Sequence, residues 1–145
     1  MENPHGKSVF DLDANIVALL CYLGNIVCLL GLILSIITVI TDKKNKLARF
    51  HAWQSILLTA IPLILVVVLF VLMFAGTLIG AVIDGIIGFP IITLIVSLVS
   101  IVLYIVVIIG AILVFVGMII GAIKGASGEL FKLPIIGKMA DKYSG

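Results

Sequence analysis

The chain has 145 residues, of which 63% are hydrophobic and 11% charged, and its net charge is +2; soluble proteins carry roughly a quarter charged residues. With a mean hydropathy of +1.45, this composition excludes a water-soluble globular domain and gives no footing for nucleic-acid binding. It leaves a single membrane domain over residues 1–145. Apart from Lys7, the basic residues fall in two clusters: Lys43, Lys44, Lys46 and Arg49, then Lys124, Lys132, Lys138 and Lys142.

Residues 1–13 read as a polar leader, with Asp11 and Asp13 placed to favour the positive end of a helix dipole. The first apolar segment, about 14–41, is too long for a signal-peptide core and has no basic leader or small-residue cleavage site, so it is expected to remain as a membrane span. Along it Ala18, Cys21, Gly24, Cys28, Gly31, Ser35 and Thr38 recur at spacings of three and four, which places them on one stripe suited to close helix packing. Cys21 and Cys28 lie about 10 Å apart along a helix axis, beyond disulfide reach, and read as small packing residues. Asn25 falls near mid-span, where an amide is expected to bond a neighbouring helix.

A short basic linker leads into a second span at about 52–75, on which His51, Ser55, Thr59 and Pro62 share a face. Pro62 removes a backbone donor and predicts a kink that Thr59 is placed to ease. Residues 76–89, with Gly80, Gly85, Gly88 and the charged Asp84, predict a wet outer turn, and Pro90 suits the start of the next helix. A third span, about 90–123, would be about 51 Å long against roughly 30 Å of hydrocarbon, so tilting, protrusion or a break at Gly110 is expected. Thr93, Ser97, Ser100 and Tyr104 form a polar stripe; Gly117, Gly121 and Gly125 form a glycine stripe that would face the first span or a second copy of the chain. The tail, 125–145, mixes apolar residues and lysines as a membrane-surface segment does.

From Ala52 to Ile123 the only charge is Asp84. Short Lys- and Arg-rich loops stay cytoplasmic, so the two basic clusters belong on one side with an even number of crossings between them. The expected fold is therefore an all-α integral membrane protein of three transmembrane helices, N-terminus outside, C-terminus cytoplasmic, in the inner membrane.

Chemically capable side chains are densest at Arg49, His51, Trp53, Gln54 and Ser55. One reading is an aromatic and basic anchor at the headgroup level. The other is recognition, because His51, Gln54 and Ser55 fall on one helical face and His51 could sense protons. No phosphate loop, metal-spaced cluster or nucleophile–base set is present, so neither an enzyme nor a cofactor or metal site is expected.

Arg49-Phe50-His51-Ala52-Trp53-Gln54-Ser55, followed after the last span by Gly128-Glu129-Leu130-Phe131-Lys132-Leu133-Pro134-Ile135-Ile136-Gly137, resembles the motif pair of an uncharacterised prokaryotic multi-pass membrane protein family related to the small Tic-type translocon subunit of the chloroplast inner envelope. The resemblance covers about residues 13–142 and implies that His51, Gln54, Ser55, Pro134 and Gly137 are signature positions. It also implies four spans as the alternative to three. Three functions follow as expectations. The first is a non-enzymatic assembly component that packs through Gly24, Asn25, Cys28, Gly31, Ser35, Gly117 and Gly121, with the bilayer and a second copy or another membrane protein as partners. The second is a transport or protein-translocation component with Asn25, Ser97, Ser100 and Tyr104 along its path, and the third an anionic-lipid-binding protein using Arg49, His51 and the tail lysines.

Overall fold

Apolar runs in which every backbone group must find an internal partner favour helices, and helices account for the named elements of this chain. The computed structural model describes residues 6–145, the side chain of Cys28 excepted. After a short 3-10 turn at Val9–Asp11, its α-helices are α1 (Ala14–Cys28), α2 (Leu30–Thr41), α3 (Lys46–Ile87), α4 (Ile91–Ala126) and α5 (Ile136–Ser144). They divide into two compact units: Met1–Ala60 with Leu113–Gly145, and Ile61–Ile112. The division falls beside Pro62 on α3 and Gly110 on α4, and Pro62 lies inside α3 without ending it.

The first unit corrects the expectation of one continuous span over 14–41. Leu29 takes a left-handed backbone conformation, φ 60°, and the chain reverses there, so that Leu34, Ile37 and Val39 of α2 pack on the cluster containing Ala14, Val17 and Cys21. A left-handed non-glycine residue costs about 1–2 kcal/mol. Close backbone packing offsets that cost. A Cβ on Gly24 would lie 2.5 Å from Gly31 N, and one on Gly31 would lie 2.6 Å from Asn25 N. The small-residue stripe is thus a packing face, but one folded shut on itself. Ser35 and Thr38 on it are fully buried, their hydroxyls donating to Gly31 O (2.6 Å) and Leu34 O (2.8 Å).

The same reversal returns the chain to where it began. Ser8 Oγ donates to Asp42 Oδ2, and Asn45 Nδ2 donates to Lys7 O (3.4 Å). Asp42 Oδ1 accepts from Lys44 N and Asn45 N (3.1 and 3.0 Å), while Asn45 Oδ1 accepts from Ala48 N and starts α3. α4 closes in a Schellman motif, with Gly128 at φ 74° and hydrogen bonds from Gly128 N to Gly125 O and from Glu129 N to Lys124 O.

The second unit is the hairpin of α3 from Ile61 and α4 to Ile112. Its turn is shorter than expected: α3 continues through Ile87, leaving Gly88 (φ 82°), Phe89 and Pro90. Gly76 and Gly80 lie in the helix because they admit α4 closely, Gly80 beside Ile92 and Thr93 and Gly76 beside Val96. Asp84 is a correction as well. It is 8% exposed, and its two carboxylate oxygens accept from Ile92 N and Thr93 N, both at 2.8 Å. A carboxylate that caps the next helix satisfies its orphan donors and meets the positive end of its dipole.

Filling the hairpin crossing should unfold it selectively. Gly31→Ala, which forces backbone apart, is expected to cost about 1–3 kcal/mol, whereas Gly85→Ala, with open space around it, should be neutral or stabilise by up to about 1 kcal/mol. Thermal unfolding in detergent followed by circular dichroism measures both.

Candidate functional site

The motif residues His51, Gln54 and Ser55 sit on α3 at helical spacing, so they present one face. All three are fully buried, as is Tyr22 of α1. His51 Nε2 lies 2.9 Å from the carbonyl oxygen of Glu129. A carbonyl can only accept, so Nε2 carries the proton. Nδ1, 3.0 Å from Tyr22 Oη, is then the acceptor and the tyrosine hydroxyl the donor. That hydroxyl accepts in turn from Gln54 Nε2 (3.1 Å), and Gln54 Oε1 accepts from Leu133 N (3.4 Å). The relay runs in one direction, from Leu133 N–H through Gln54 and Tyr22 to His51 and the carbonyl of Glu129. It joins α1, α3 and the segment after α4, and it leaves neither ring nitrogen of His51 open to a ligand.

The glycine stripe on α4 makes room for this relay. A Cβ on Gly121 would meet the Tyr22 ring at 2.7 Å; on Gly125 it would meet Ala18 Cβ at 2.9 Å and lie 3.5 Å from His51 Nδ1. Gly117 faces Leu58. All these contacts are within the chain.

A second layer lies next to the first. Asn25 Nδ2 donates to Ser55 Oγ (2.8 Å) and Thr59 Oγ1 (2.9 Å), Ser55 Oγ donates to Cys21 O (2.7 Å), and Thr59 Oγ1 donates to Ser55 O (2.9 Å). Asn25 therefore binds α1 to α3, the interhelical role its position in the apolar run implies.

The second motif is explained by its backbone. Ile135 has φ 66° and ψ −63°, and Ile136 N donates to Pro134 O across it at 2.7 Å, a strained γ-turn that a β-branched residue rarely adopts. Gly137 follows because a Cβ there would lie 2.6 Å from Lys132 Cα. The turn buries Leu133 and aims α5 so that Ala140 and Gly137 pack inward. Lys132 Nζ donates to Asp141 Oδ2 at 2.7 Å, and that hydrogen bond holds the Asp141 carboxyl below its ordinary value. The tail thus packs on the protein.

Arg49 and Trp53, read from sequence as headgroup anchors, also meet the protein. The Arg49 guanidinium donates to Val39 O (3.3 Å), Asp42 O (3.1 Å) and Ser144 O (3.1 Å), gathering the ends of α2 and α5 at the start of α3. The Trp53 ring lies 5.3 Å from that of Tyr143. Cys28, also expected on the packing stripe, has a side chain outside the described residues.

Sequence reasoning did not single out Tyr22, the centre of the relay. Its signal was available, since Tyr22 follows Cys21 on α1 and its hydroxyl is a polar group among apolar neighbours. Glu129 and Leu133 contribute only backbone atoms, which no side-chain pattern discloses.

The residues so joined span nearly the whole stretch matched by a family model, 13–140. The chain belongs to the MamF/MmsF family, the magnetosome magnetite crystal formation protein family. This family is prokaryotic and membrane-associated, as the motif pair implied, but nothing in the comparisons relates it to the chloroplast translocon subunit. No curated protein and no solved structure matches the chain significantly.

Removing the centre of the relay should be costly. Tyr22→Phe leaves Gln54 Nε2 and His51 Nδ1 without their partner, an expected loss of about 1–3 kcal/mol in unfolding free energy. In a double-mutant cycle with His51→Leu the two losses should be non-additive by about 0.5–3 kcal/mol, measured by denaturant titration in detergent.

Proposed function

We propose that the chain is a non-enzymatic component of the magnetosome membrane, one that serves magnetite crystal formation by its place and packing in that membrane and not by a reaction of its own. The observation that carries this reading is the closed relay: His51, Gln54 and Tyr22 bond one another and the backbone of Glu129 and Leu133, and Ser55 bonds Asn25 and Cys21 O. A catalytic or cargo-binding set needs groups left open toward a ligand. Two of the hydroxyls that a translocation path would use are engaged likewise, Ser97 Oγ with Thr93 O and Ser100 Oγ with Val96 O.

In this reading α3 and α4 are the two complete crossings. At about 63 Å and 54 Å they exceed the hydrocarbon thickness, so they tilt or project beyond it. Lys43–Arg49 and the tail lysines meet the cytoplasmic side. The bilayer is the principal partner, and a second copy or another membrane protein would meet the chain on exposed apolar faces, because the glycine stripes are occupied internally. An anionic-lipid role has one specific support, a recess of about 520 Å3 lined by Val39, Lys43, Lys44, Lys46, Arg49, Ser144 and Gly145.

Reporter fusions after residues 46, 84 and 142 test the topology: 46 and 142 should read cytoplasmic and 84 the opposite side. Agreement of all three positions, or opposition of 46 and 142, would sink the two-crossing arrangement. In a magnetosome-forming host lacking its own copy, Tyr22→Phe protein that still reaches the membrane should restore crystal size, measured by electron microscopy, in proportion to its amount. An inactive variant present at normal amount and correctly folded would instead point to chemistry at the relay.

A further inference from the structure

The pair α1 and α2 has dimensions that neither a crossing nor a soluble subdomain would have. At 15 and 12 residues they are about 22 Å and 18 Å long, short of the roughly 30 Å of hydrocarbon. Their polar groups point inward, with Ser35 and Thr38 fully buried and Asn25 bonded to Ser55 and Thr59. Their outer faces are apolar and exposed, as at Leu20, Leu23, Ile26, Ile33 and Ile36, and so is the reversal itself, at Leu29 (47%) and Leu30 (56%). Water would disfavour so large a continuous apolar surface.

The depth of the pair is fixed by its partners on α3. At the base, Ser8 binds Asp42, and Asp42 binds the backbone of Lys44 and Asn45. Near the reversal, Asn25 binds Thr59. From Lys46 to Thr59 is about 20 Å of helix, which matches half of a bilayer, about 15 Å of hydrocarbon and the adjoining headgroups. Lysines 43, 44 and 46 at the base stand where anionic headgroups lie. The reversal takes a single residue, and Leu29 O accepts from Leu32 N and Ile33 N, so few backbone groups are left to lipid.

We propose that α1 and α2 form a hairpin that enters and leaves the lysine-bearing leaflet without reaching the other, its outer faces and tip covered by that leaflet's acyl chains. This rests on the membrane reading above and goes beyond it. It places the N-terminal leader on the same side as Lys43–Arg49, reversing the sequence expectation of an outside N-terminus. It also has a mechanical consequence. Two helices of about 10 Å diameter add roughly 160 Å2 per chain to one leaflet, so the chain favours membrane that is convex on its lysine side.

The full-length chain is reconstituted in phospholipid vesicles as Leu30→Trp with Trp53→Phe, which leaves one tryptophan at the tip. Chains brominated near the bilayer centre should quench it at least about twofold more than aqueous acrylamide does. Quenching by acrylamide alone would place the pair outside the bilayer. Quenching by neither, at high lipid dilution, would mean that protein and not lipid covers the tip; both outcomes overturn the proposal. A reporter at the N-terminus should agree with the fusion after residue 46. If the fusions at 46, 84 and 142 behave as expected while the N-terminal one reads the opposite side, the hairpin is refuted and the two crossings stand; if those three fail, the membrane reading itself is refuted. For curvature, the fraction of chains with Lys43–Arg49 open to external trypsin should be about twofold higher in small vesicles than in large ones; an equal fraction removes that consequence.

Discussion

The Tyr22 hydroxyl holds together the first unit of this protein, here called its head, which runs to Ala60 and resumes at Leu113. It donates to His51 and accepts from Gln54, and so joins two motif residues of α3 to α1. Its neighbours are arranged around it: Gly121 is a glycine because the ring occupies the place of a side chain, and the Schellman turn at Gly128 delivers the Glu129 carbonyl to the far side of His51. In a low-dielectric interior an unpaired donor or acceptor is costly, so the relay holds as a unit. Its direction is set at one end, by a carbonyl that can only accept.

The head differs from a soluble domain in what it buries and what it exposes. Beside small and apolar residues such as Ala14, Val17 and Phe50 it buries His51, Gln54, Ser35, Ser55 and Thr38, while many isoleucines, leucines and valines face outward. Where lipid replaces water there is little hydrophobic force between helices, and small residues and interhelical hydrogen bonds take over. The crossing of Gly24 and Gly31 and the bonds from Asn25 serve that purpose. Asp84 does the same in the hairpin of α3 and α4, as a carboxylate capping a helix start.

Much of this was legible in the sequence. The long apolar run, the helical class and the grouping of small residues on one stripe of 14–41 follow from composition and spacing, and the motif from Arg49 to Ser55 marks the side chains that form the centre. The reversal at Leu29 was not legible. Nothing about leucine favours a left-handed backbone, and the apolar run passes through it unbroken; only the packing of Gly24 on Gly31 decides it, a tertiary contact. The turn over 76–89 failed for the opposite reason. Gly80 and Gly85 signal a turn locally, yet both lie inside α3, where Gly80 admits the neighbouring helix. The second motif was visible as a pattern without meaning, because its role lies in the γ-turn at Ile135 and in backbone atoms that the pattern does not name.

The relay ends on backbone groups of Glu129 and Leu133, which are made after α1, α2 and α3. During synthesis α1, α2 and α3 are complete while His51 Nε2 and Gln54 Oε1 still lack their final partners. The head stays unsealed until the segment after α4 leaves the ribosome and its γ-turn forms. Closure of the relay is thus timed by a segment made later than the helices it seals, and a chain stopped short of residue 133 would leave that polar interior unsealed.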